Sequence, residues 1–331
     1  MDHAPAAHAA SVLSTQLLVQ SLLGPDVNPN ATLNPDEEPR PALSPRLLAA
    51  LSEAQEEEAL VADLVGMNQH QISAKVDLHQ QQLLLQGVGE DELRELARLG
   101  SVCLPHSGDW LNTAPLTALG LHLRPMEFIL AVKYRLGLNV YDREGPCPAC
   151  LRFSDAKGDH AMCCGWGGER ISRHNALRDA LFDTAASAGL APVKEGRFLL
   201  PGDDRRPADI LVPNFAGGRD VALDVTVVNP IQDATMPQAA TTPGFALSYA
   251  HDRKVRGAEE DCRRQGIAFI PMAAESFGGW HSAAEREVRK LGAALARHTG
   301  QEEGEAIGHL WGRLGIYRVP VFPNAETDGI E

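Results

Sequence analysis

The sequence predicts a mixed α/β protein in which an α-β-β-β-α-β core follows a helical region and a small cysteine-rich module. Three observations lead to this prediction. The spacing of apolar residues changes from a helical period to strict alternation in the second half of the chain. Four of the six cysteines crowd between Cys147 and Cys164. The 331 residues are 44% apolar, which is enough to bury at least one full core.

We divide the chain into five segments. They are a disordered N-terminal segment (1–45), a helical region (46–140), the cysteine-rich module (141–168), the α/β core (169–300), and a C-terminal helix and tail (301–331). The first is rich in Ala, Pro and Asn, a composition that cannot bury a core. In the second, apolar residues recur at helical spacing over 46–65 and 90–99, and Pro125 opens a helix that Gly137 ends.

The predicted core begins with a helix that Ser172 caps and Gly189 ends. Alternating apolar residues between turn-rich stretches predict the three strands 192–200, 209–212 and 220–228. A helix over 245–265, a strand over 267–272 and a helix over 282–298 follow. This order fits one mixed sheet with helices on its faces.

Charge and hydropathy restrict the function. The formal net charge of −14 opposes nucleic-acid binding, because phosphate contacts need clustered Lys and Arg. The acidic residues concentrate in the N-terminal part, however, and arginines flank the predicted core, which leaves room for a local basic groove. The apolar stretch 17–23 follows no basic residue and is too short to span a bilayer, so we expect an intracellular protein without a signal peptide or a membrane span.

The cysteine cluster has the spacing of a zinc site. Cys147 and Cys150 form a Cys-x-x-Cys pair, and His160 and the Cys163-Cys164 pair follow at short range. In a reducing compartment this pattern indicates tetrahedral zinc before it indicates disulfides. The residues alone leave the fourth ligand open between the two adjacent cysteines. The isolated Cys103 and Cys262 are expected to be buried as small apolar residues.

Two carboxylates form the second candidate site. Along the third predicted strand Asp224 points away from the apolar face, and Asp209 opens the preceding strand fifteen positions earlier. A hairpin through Gly217-Gly218 would bring the two acids together, where a hard cation such as Mg²⁺ relieves their repulsion. Lys254, on the following helix, could complete a site for metal-assisted phosphodiester hydrolysis. The alternative is that Asp224 pairs with an arginine and Lys254 is a surface cation.

Several short motifs occur in one order between Ser107 and Trp280. They are Gly108-Asp109-Trp110-Leu111-Asn112, the cysteine cluster with Gly158-Asp159-His160-Ala161, Arg173-His174-Asn175, Val193-Lys194-Glu195, Arg206-Pro207-Ala208-Asp209, Leu223-Asp224-Val225-Thr226 and Glu275-Ser276-Phe277-Gly278-Gly279-Trp280. This series resembles the endonuclease region that lies C-terminal to the reverse transcriptase in site-specific non-LTR retrotransposons. The resemblance implies a restriction-endonuclease-like core of the PD-(D/E)XK type, preceded by a zinc knuckle.

The resemblance also implies roles for residues. Asp209 and Asp224 would hold Mg²⁺ or Mn²⁺, Lys254 would be the catalytic cation, and Glu195 would be an auxiliary acid. The family's lysine lies on the following helix, which explains Thr226 at the position where a lysine is usual. Ala258 departs from the family, which usually carries an aromatic residue there.

The zinc ligands implied by the resemblance are Cys147, Cys150, His160 and Cys164, with a structural role for the metal. We further expect Arg173, His174 and Arg206 to contact nucleic acid. His174 could contact the active site instead of the nucleic acid, and a helix cap or a buried polar pair is the alternative. The helical region 46–140 would be a remnant of the connection between polymerase and endonuclease.

The expected function is therefore a Mg²⁺-dependent DNA endonuclease derived from a retrotransposon. No Tyr-x-Asp-Asp polymerase signature occurs in these residues, so the polymerase is expected to be missing. The expected partner is DNA, with RNA as a second candidate, no membrane is involved, and the nucleus is the expected compartment. The alternative is an inactive, zinc-containing module that binds nucleic acid or protein, left by a decayed or reused retroelement; the net charge of −14 favours it.

Overall fold

The computed structural model describes residues 68, 77–78, 81–117, 120–166, 168–195, 208–319 and 322. The chain separates into two compact units, Met1–Gln82 and Leu83–Glu331. All elements named below lie in the second unit. The segments predicted to be disordered (1–45) and helical (46–65) lie outside the described residues.

The N-terminal half of this unit contains two helices and the cysteine-rich module. Its elements are α1 (Leu93–Val102), a 3₁₀ turn (Asp109–Asn112), α2 (Pro125–Arg135), the two-residue strands β1 (Gly145–Pro146) and β2 (Phe153–Ser154), and the short helix α3 (Asp159–Cys163). Helix α2 begins at Pro125, as predicted, because proline at the first helical position loses no hydrogen bond. Gly137 follows the helix with a positive φ of 73°.

The C-terminal half is the α/β core. Its elements are α4 (Glu169–Ser187), β3 (Val193–Lys194), β4 (Ile210–Ala216), β5 (Arg219–Val228), α5 (Met236–Thr241), α6 (Phe245–Arg264), β6 (Ala268–Glu275), α7 (Ser282–Thr299) and α8 (Glu303–Arg318). The sheet order is β3-β4-β5-β6; the first two pairs are antiparallel and β5 with β6 is parallel. The fold is thus mixed α/β with the predicted α-β-β-β-α-β order, to which α5 adds a helix between β5 and α6.

Helices cover both faces of the sheet. On one face, Val221, Leu223 and Val225 of β5 pack against residues of α4, α7 and α8 in the main core. On the other face, Ala222 contacts the α6 residue Cys262 in a smaller cluster. Because side chains alternate along a strand, Asp224 lies on the α6 side with Ala222. The helix that carries Lys254 therefore packs on the face that carries Asp224.

The structure corrects some predicted boundaries. Helix α4 begins at Glu169 instead of following a cap at Ser172, because the Ser172 amide already donates to the Gly168 carbonyl at 2.9 Å. Strand β4 runs on to Ala216, through the stretch expected to be a turn, with an irregularity at Asn214, where φ is 52°. The turn is limited to Gly217 and Gly218, both at positive φ.

The two isolated cysteines differ. Cys262 is fully buried, as predicted, but Cys103 is exposed at the end of α1. The prediction for Cys103 was wrong because its helix ends at Val102, so the cysteine follows the last turn and not the packed face. Within the described residues, no helix is both long enough and apolar enough to cross a bilayer.

Asn229, at the end of β5, joins the module to the sheet. Its buried amide nitrogen donates to the Tyr134 hydroxyl at 3.3 Å and to the Cys163 sulfur at 3.4 Å. Its oxygen accepts from the Ile231 amide at 3.1 Å and from the Ser276 hydroxyl at 3.2 Å. One polar side chain thus connects α2, α3 and the ends of β5 and β6.

Glu275, at the end of β6, is a fully buried carboxylate. It accepts a hydrogen bond of 2.5 Å from the Ser101 hydroxyl of α1. Burial raises the pKa of Glu275 to about 7, although Ser101 and the buried Arg318 act to lower it. This contact ties the helical region to the core across 174 positions of sequence.

Candidate functional site

Four side chains of the cysteine-rich module converge on one point. The sulfurs of Cys147, Cys150 and Cys164 and a ring nitrogen of His160 all lie within 4.8 Å of one another. Cys147 Sγ is 4.0 Å from Cys164 Sγ, and Cys150 Sγ is 3.2 Å from His160 Nε2. Zinc bonds of about 2.3 Å to sulfur and 2.0 Å to nitrogen give ligand separations of roughly 3.5 to 3.8 Å in a tetrahedron. The cluster therefore has the ligands and the size to hold a metal such as zinc.

The backbone of the module positions these ligands. The β1–β2 hairpin places Cys147 directly after β1, and its amide donates to the Arg152 carbonyl at 2.7 Å. Helix α3 supplies His160, and the Asp155 carboxylate accepts from the His160 amide at 2.8 Å. A Cβ on Gly158, which precedes α3 at a φ of 89°, would lie 2.7 Å from the Phe322 ring. Only glycine fits that close approach.

The surroundings of Cys147 favour its thiolate form. Burial acts to raise the pKa of Cys147, but hydrogen bonds from the backbone amides of Cys150 and Ala149, and one from His160, outweigh it and lower the pKa to about 6. A thiolate is the form that binds metal. The same hydrogen bonds that shape the turn thus prepare the ligand.

Cys163 lies outside the cluster, although it is adjacent to Cys164. Its sulfur accepts from Asn229 Nδ2 at 3.4 Å, and burial raises its pKa to about 11. The residue spacing left open whether Cys163 or Cys164 is the fourth ligand, and the structure distinguishes the two. Cys164 shares the ligand cluster, and Cys163 packs toward the sheet.

Asp209 and Asp224 are neighbours across the β4–β5 hairpin. The antiparallel register pairs Ile210 with Leu223, which puts Asp209 opposite Asp224. Side chains directly opposite on an antiparallel pair share a face, with Cβ atoms about 4.5 to 5.5 Å apart. The Asp209 amide donates to the Leu223 carbonyl at 3.1 Å, so the backbone is still hydrogen-bonded to β5 at Asp209.

The lysine expected to serve this pair lies against it. Lys254 Nζ is 2.8 Å from Asp224 Oδ2. Burial raises the pKa of Asp224 to about 6; Lys254 acts to lower it, and the adjacent Asp209 carboxylate acts to raise it. The Asp209 pKa is lowered despite burial, because His174 and the Val225 amide hydrogen-bond to its carboxylate. Two carboxylates with one lysine therefore form a single coupled group.

The structure brings His174 into this group. Its Nε2 lies 3.1 Å from Asp209 Oδ2, and the Val225 amide donates to the same oxygen at 2.7 Å. The hydrogen bond to Asp209 raises the pKa of His174, although burial opposes it. His174 therefore contacts a residue of the predicted active site, which was one of the two contacts expected for it, and it orients the Asp209 carboxylate.

The other predicted residues lie in different surroundings. The Glu195 amide donates to the Asp209 carbonyl at 2.7 Å, whereas the Glu195 carboxylate accepts from Arg178 at 2.7 Å. Arg173 is buried and donates to the Met162 carbonyl at 2.9 Å. Arg206 lies outside the described residues.

One ion pair of the module was not predicted from the sequence. Arg94 of α1 pairs with Asp159 through two contacts, of 2.5 and 2.9 Å, and fastens the module to the helical region. Asp159 stands in the Gly158-Asp159-His160 motif, but its partner is 65 positions away. The sequence could have drawn attention to Asp159, because it is an acidic residue next to the predicted ligand His160. Nothing near it in the sequence identifies Arg94 as its partner.

No protein-family model matches the chain, and no curated protein is significantly similar to it. The interpretation of the site therefore depends on its own geometry. That geometry provides one soft ligand set of sulfur and nitrogen, and one hard set of carboxylate oxygens with a lysine.

Proposed function

We propose that the chain is a metal-dependent DNA endonuclease with a PD-(D/E)XK-type core and a structural zinc knuckle, derived from a retrotransposon. The observation that supports it most is the contact of 2.8 Å between Lys254 and Asp224, with Asp209 in the opposite register position. A lysine and two acids from a hairpin and the following helix form the set that hydrolysis of a phosphodiester requires. With DNA as the substrate, the nucleus is the compartment in which the protein would act.

The carboxylate pair suits Mg²⁺ or Mn²⁺. Both side chains offer hard oxygen ligands. Burial, together with a smaller effect of the Asp209 carboxylate, raises the pKa of Asp224 to about 6, and a bound divalent ion would counter both effects. When bound, such an ion would supply an activated water and stabilise charge on the phosphate oxygens. Asp209 is held ready by His174 and by the Val225 amide.

Lys254 would act as the fixed cation of the site. Its side chain is only partly buried, so its ammonium can face both Asp224 and a phosphate. A preorganised charge beside the reacting phosphate stabilises negative charge that develops in the transition state. The two acids would hold the ion, and the lysine would stabilise charge on the leaving or bridging oxygens.

The Cys/His cluster would be a structural zinc site. Its four ligands would fill the tetrahedral coordination of zinc, which would leave no position open for a reacting water. Two aromatic side chains next to it, Phe153 and Trp166, are exposed. Exposed aromatic rings on such a module can stack on bases of a single strand.

The second candidate function is a binding module without catalysis. The net charge of −14 and the exposed aromatic rings of the cysteine-rich module favour it. In that case the carboxylates and Lys254 would form only an ion pair within the core. The two functions differ in whether the protein cleaves what it binds.

Nicking of supercoiled plasmid DNA with Mg²⁺ tests the proposal, with the wild type compared with Asp224→Asn. We expect the substitution to reduce the nicking rate by at least about 100-fold, because it removes a ligand that acts in the transition state. Asp220→Asn is the matched control on the same strand; its carboxylate accepts only a turn hydrogen bond of 3.0 Å from the Asn214 amide. Equal rates in wild type and Asp224→Asn, or no nicking by any variant, would exclude the nuclease and leave the binding module.

A further inference from the structure

A small cavity opens at the end of β5, the strand that carries Asp224. It has a volume of about 200 Å³ and lies between the ends of α3 and β5 and the facing sides of α4 and α6. Its polar lining includes Arg170, Arg173, Arg253, Asn229, Tyr249 and Ser276. We call it the arginine pocket.

The charge of the pocket is opposite to that of the protein. Three arginines line it and no carboxylate does, whereas the chain carries a net charge of −14. Within the described part of the chain, none of the three arginines forms an ion pair. The larger cavity, near Arg94, differs, because Asp142, Glu144 and other acids line it together with its basic residues. The arginine pocket therefore selects anions, and the larger cavity does not.

Arg173 provides an independent sign of an anion-binding site. Its side chain is 4% exposed, and its Nε has no hydrogen-bond partner among the described residues. The other two nitrogens contact only the carbonyl and the sulfur of Met162, which are uncharged. A buried charge without a counter-charge is costly, and burial accordingly lowers the pKa of Arg173. A bound anion would offset that cost.

The pocket lies next to the proposed catalytic residues along three elements. Arg173 precedes His174, which contacts Asp209, and Arg253 precedes Lys254, which contacts Asp224. On β5, Val228 of the pocket lies four residues beyond Asp224, a distance of roughly 13 Å along a strand. That separation corresponds to a few nucleotides of one nucleic-acid strand, whose phosphates follow each other at about 3.4 Å along a duplex axis.

We propose that the arginine pocket binds a phosphate group of the nucleic-acid strand that occupies the carboxylate centre. The pocket is smaller than the roughly 300 Å³ at which sites for larger ligands begin, so it suits a single phosphate group. Tyr249, half exposed at its edge, offers a ring on which the adjoining base can stack. This inference rests on the proposed function for its choice of strand, but the anion site itself does not require catalysis.

Inorganic phosphate is the first probe, because it needs neither nucleic acid nor Mg²⁺. We expect sodium phosphate to raise the melting temperature of the wild type above that in sodium chloride of equal ionic strength. The double variant Arg170→Gln/Arg253→Gln should lose this gain. Arg297→Gln, an exposed arginine of α7 outside the pocket, should keep it.

The second probe is a fluorescent single-stranded oligonucleotide, with anisotropy measured over a range of salt without divalent metal. We expect the double variant to bind roughly 10-fold more weakly than the wild type, as charge-assisted contacts are lost. Loss of two phosphate contacts should also reduce the slope of log affinity against log salt by about 1.4. Arg297→Gln should match the wild type in both measurements.

Each pattern of results decides the matter. If phosphate raises the melting temperature of the wild type, and the double variant loses both this rise and affinity for the oligonucleotide, the pocket binds a strand phosphate. This conclusion would hold even if Asp224→Asn nicked DNA like the wild type and the nuclease proposal were wrong. Stabilisation by phosphate without a change in oligonucleotide binding means a free anion and overturns the strand assignment. The absence of stabilisation by phosphate, or its equal loss in Arg297→Gln, overturns the anion site.

Discussion

The Cys/His cluster and the carboxylate centre both gather side chains at one point, but they differ in ligand type and in access. The cluster has three sulfurs and one nitrogen within 4.8 Å, with Cys147 and Cys164 buried. The carboxylate centre has two acids and a lysine, and the Lys254 side chain is 32% exposed. Soft ligands in a closed tetrahedron suit a metal that holds the fold, and hard ligands with access suit a metal that acts on a substrate.

The two sites also differ in how their charges are balanced when no metal is bound. In the cluster, three sulfurs and an imidazole lie within 4.8 Å of one another, and thiolates formed at that spacing repel each other. In the carboxylate centre the Lys254 ammonium already lies 2.8 Å from Asp224. Removal of metal should therefore destabilise the first region and leave the second folded. Four experiments sharpen this contrast, from the largest expected effect to the smallest.

The largest effect is expected at the Cys/His cluster, the proposed zinc site. Cys164→Ser should abolish the bound zinc and lower the free energy of unfolding by several kcal/mol, because binding of a structural zinc contributes directly to folding. Cys163→Ser is a closely matched control, since that sulfur lies outside the cluster and accepts only from Asn229. Elemental analysis and urea unfolding measure both quantities. Equal metal content in the two variants would contradict the assignment.

The second effect is on rate and not on fold. Lys254→Met should lower the nicking rate by about 100-fold or more, a loss of about 3 kcal/mol of transition-state stabilisation. Lys290→Met is the control, because it also removes a lysine that contacts a carboxylate at 2.7 Å, that of the buried Glu287. If the two lysine variants nick DNA at the same rate, Lys254 has no catalytic role.

The third effect concerns Glu275, a buried carboxylate that, among the described residues, contacts the Ser101 hydroxyl and no lysine. Its pKa is raised from 4.5 to about 7, so between these values the folded state holds a proton that the unfolded state has released. Stability therefore falls as pH rises from about 4.5 to about 7, by about 3 kcal/mol in total from this group. Glu275→Gln should remove this part of the pH dependence, as measured by urea unfolding at pH 5 and pH 8. An unchanged difference between those pH values would show that Glu275 does not titrate in this range.

The smallest effect is expected on the module surface. Trp166 is 81% exposed beside the Cys/His cluster, so Trp166→Ala should leave the melting temperature and the zinc content unchanged. If the ring stacks on a base, binding of a single-stranded oligonucleotide should weaken by about 1 kcal/mol or slightly more. Leu151→Ala, an exposed side chain of the same module, is the control. A loss of zinc in Trp166→Ala would mean that the ring supports the cluster.

Sequence reasoning predicted the parts of this structure that local patterns determine. The alternation along β5 and the Gly217-Gly218 pair identified the hairpin, and the hairpin fixed Asp209 opposite Asp224. The helical period after Gly244 identified α6 and with it the position of Lys254. In each case the deciding interactions lie within a few residues of one another.

The remaining features depend on contacts between distant parts of the chain. Cys163 and Cys164 lie three and four positions after His160, and both spacings fall on one side of a helix, so the pattern could not separate them. The choice is made by Asn229, 66 positions from Cys163, which holds that sulfur toward the sheet. The pairing of His174 with Asp209 and that of Arg94 with Asp159 also join distant positions of the chain, so no local pattern could predict these two pairings.

The contacts of α3 determine whether the cysteine-rich module can be replaced without changes in the core. This short helix carries His160 for the cluster, places Cys163 against Asn229 at the end of β5, and contacts Arg173 of α4 through Met162. A cysteine-rich module grafted from another protein would need matching partners at all of these positions. We therefore expect exchange of the module alone to fail, and exchange together with Arg173 and Asn229 to succeed, so the knuckle and the core would be inherited as one piece.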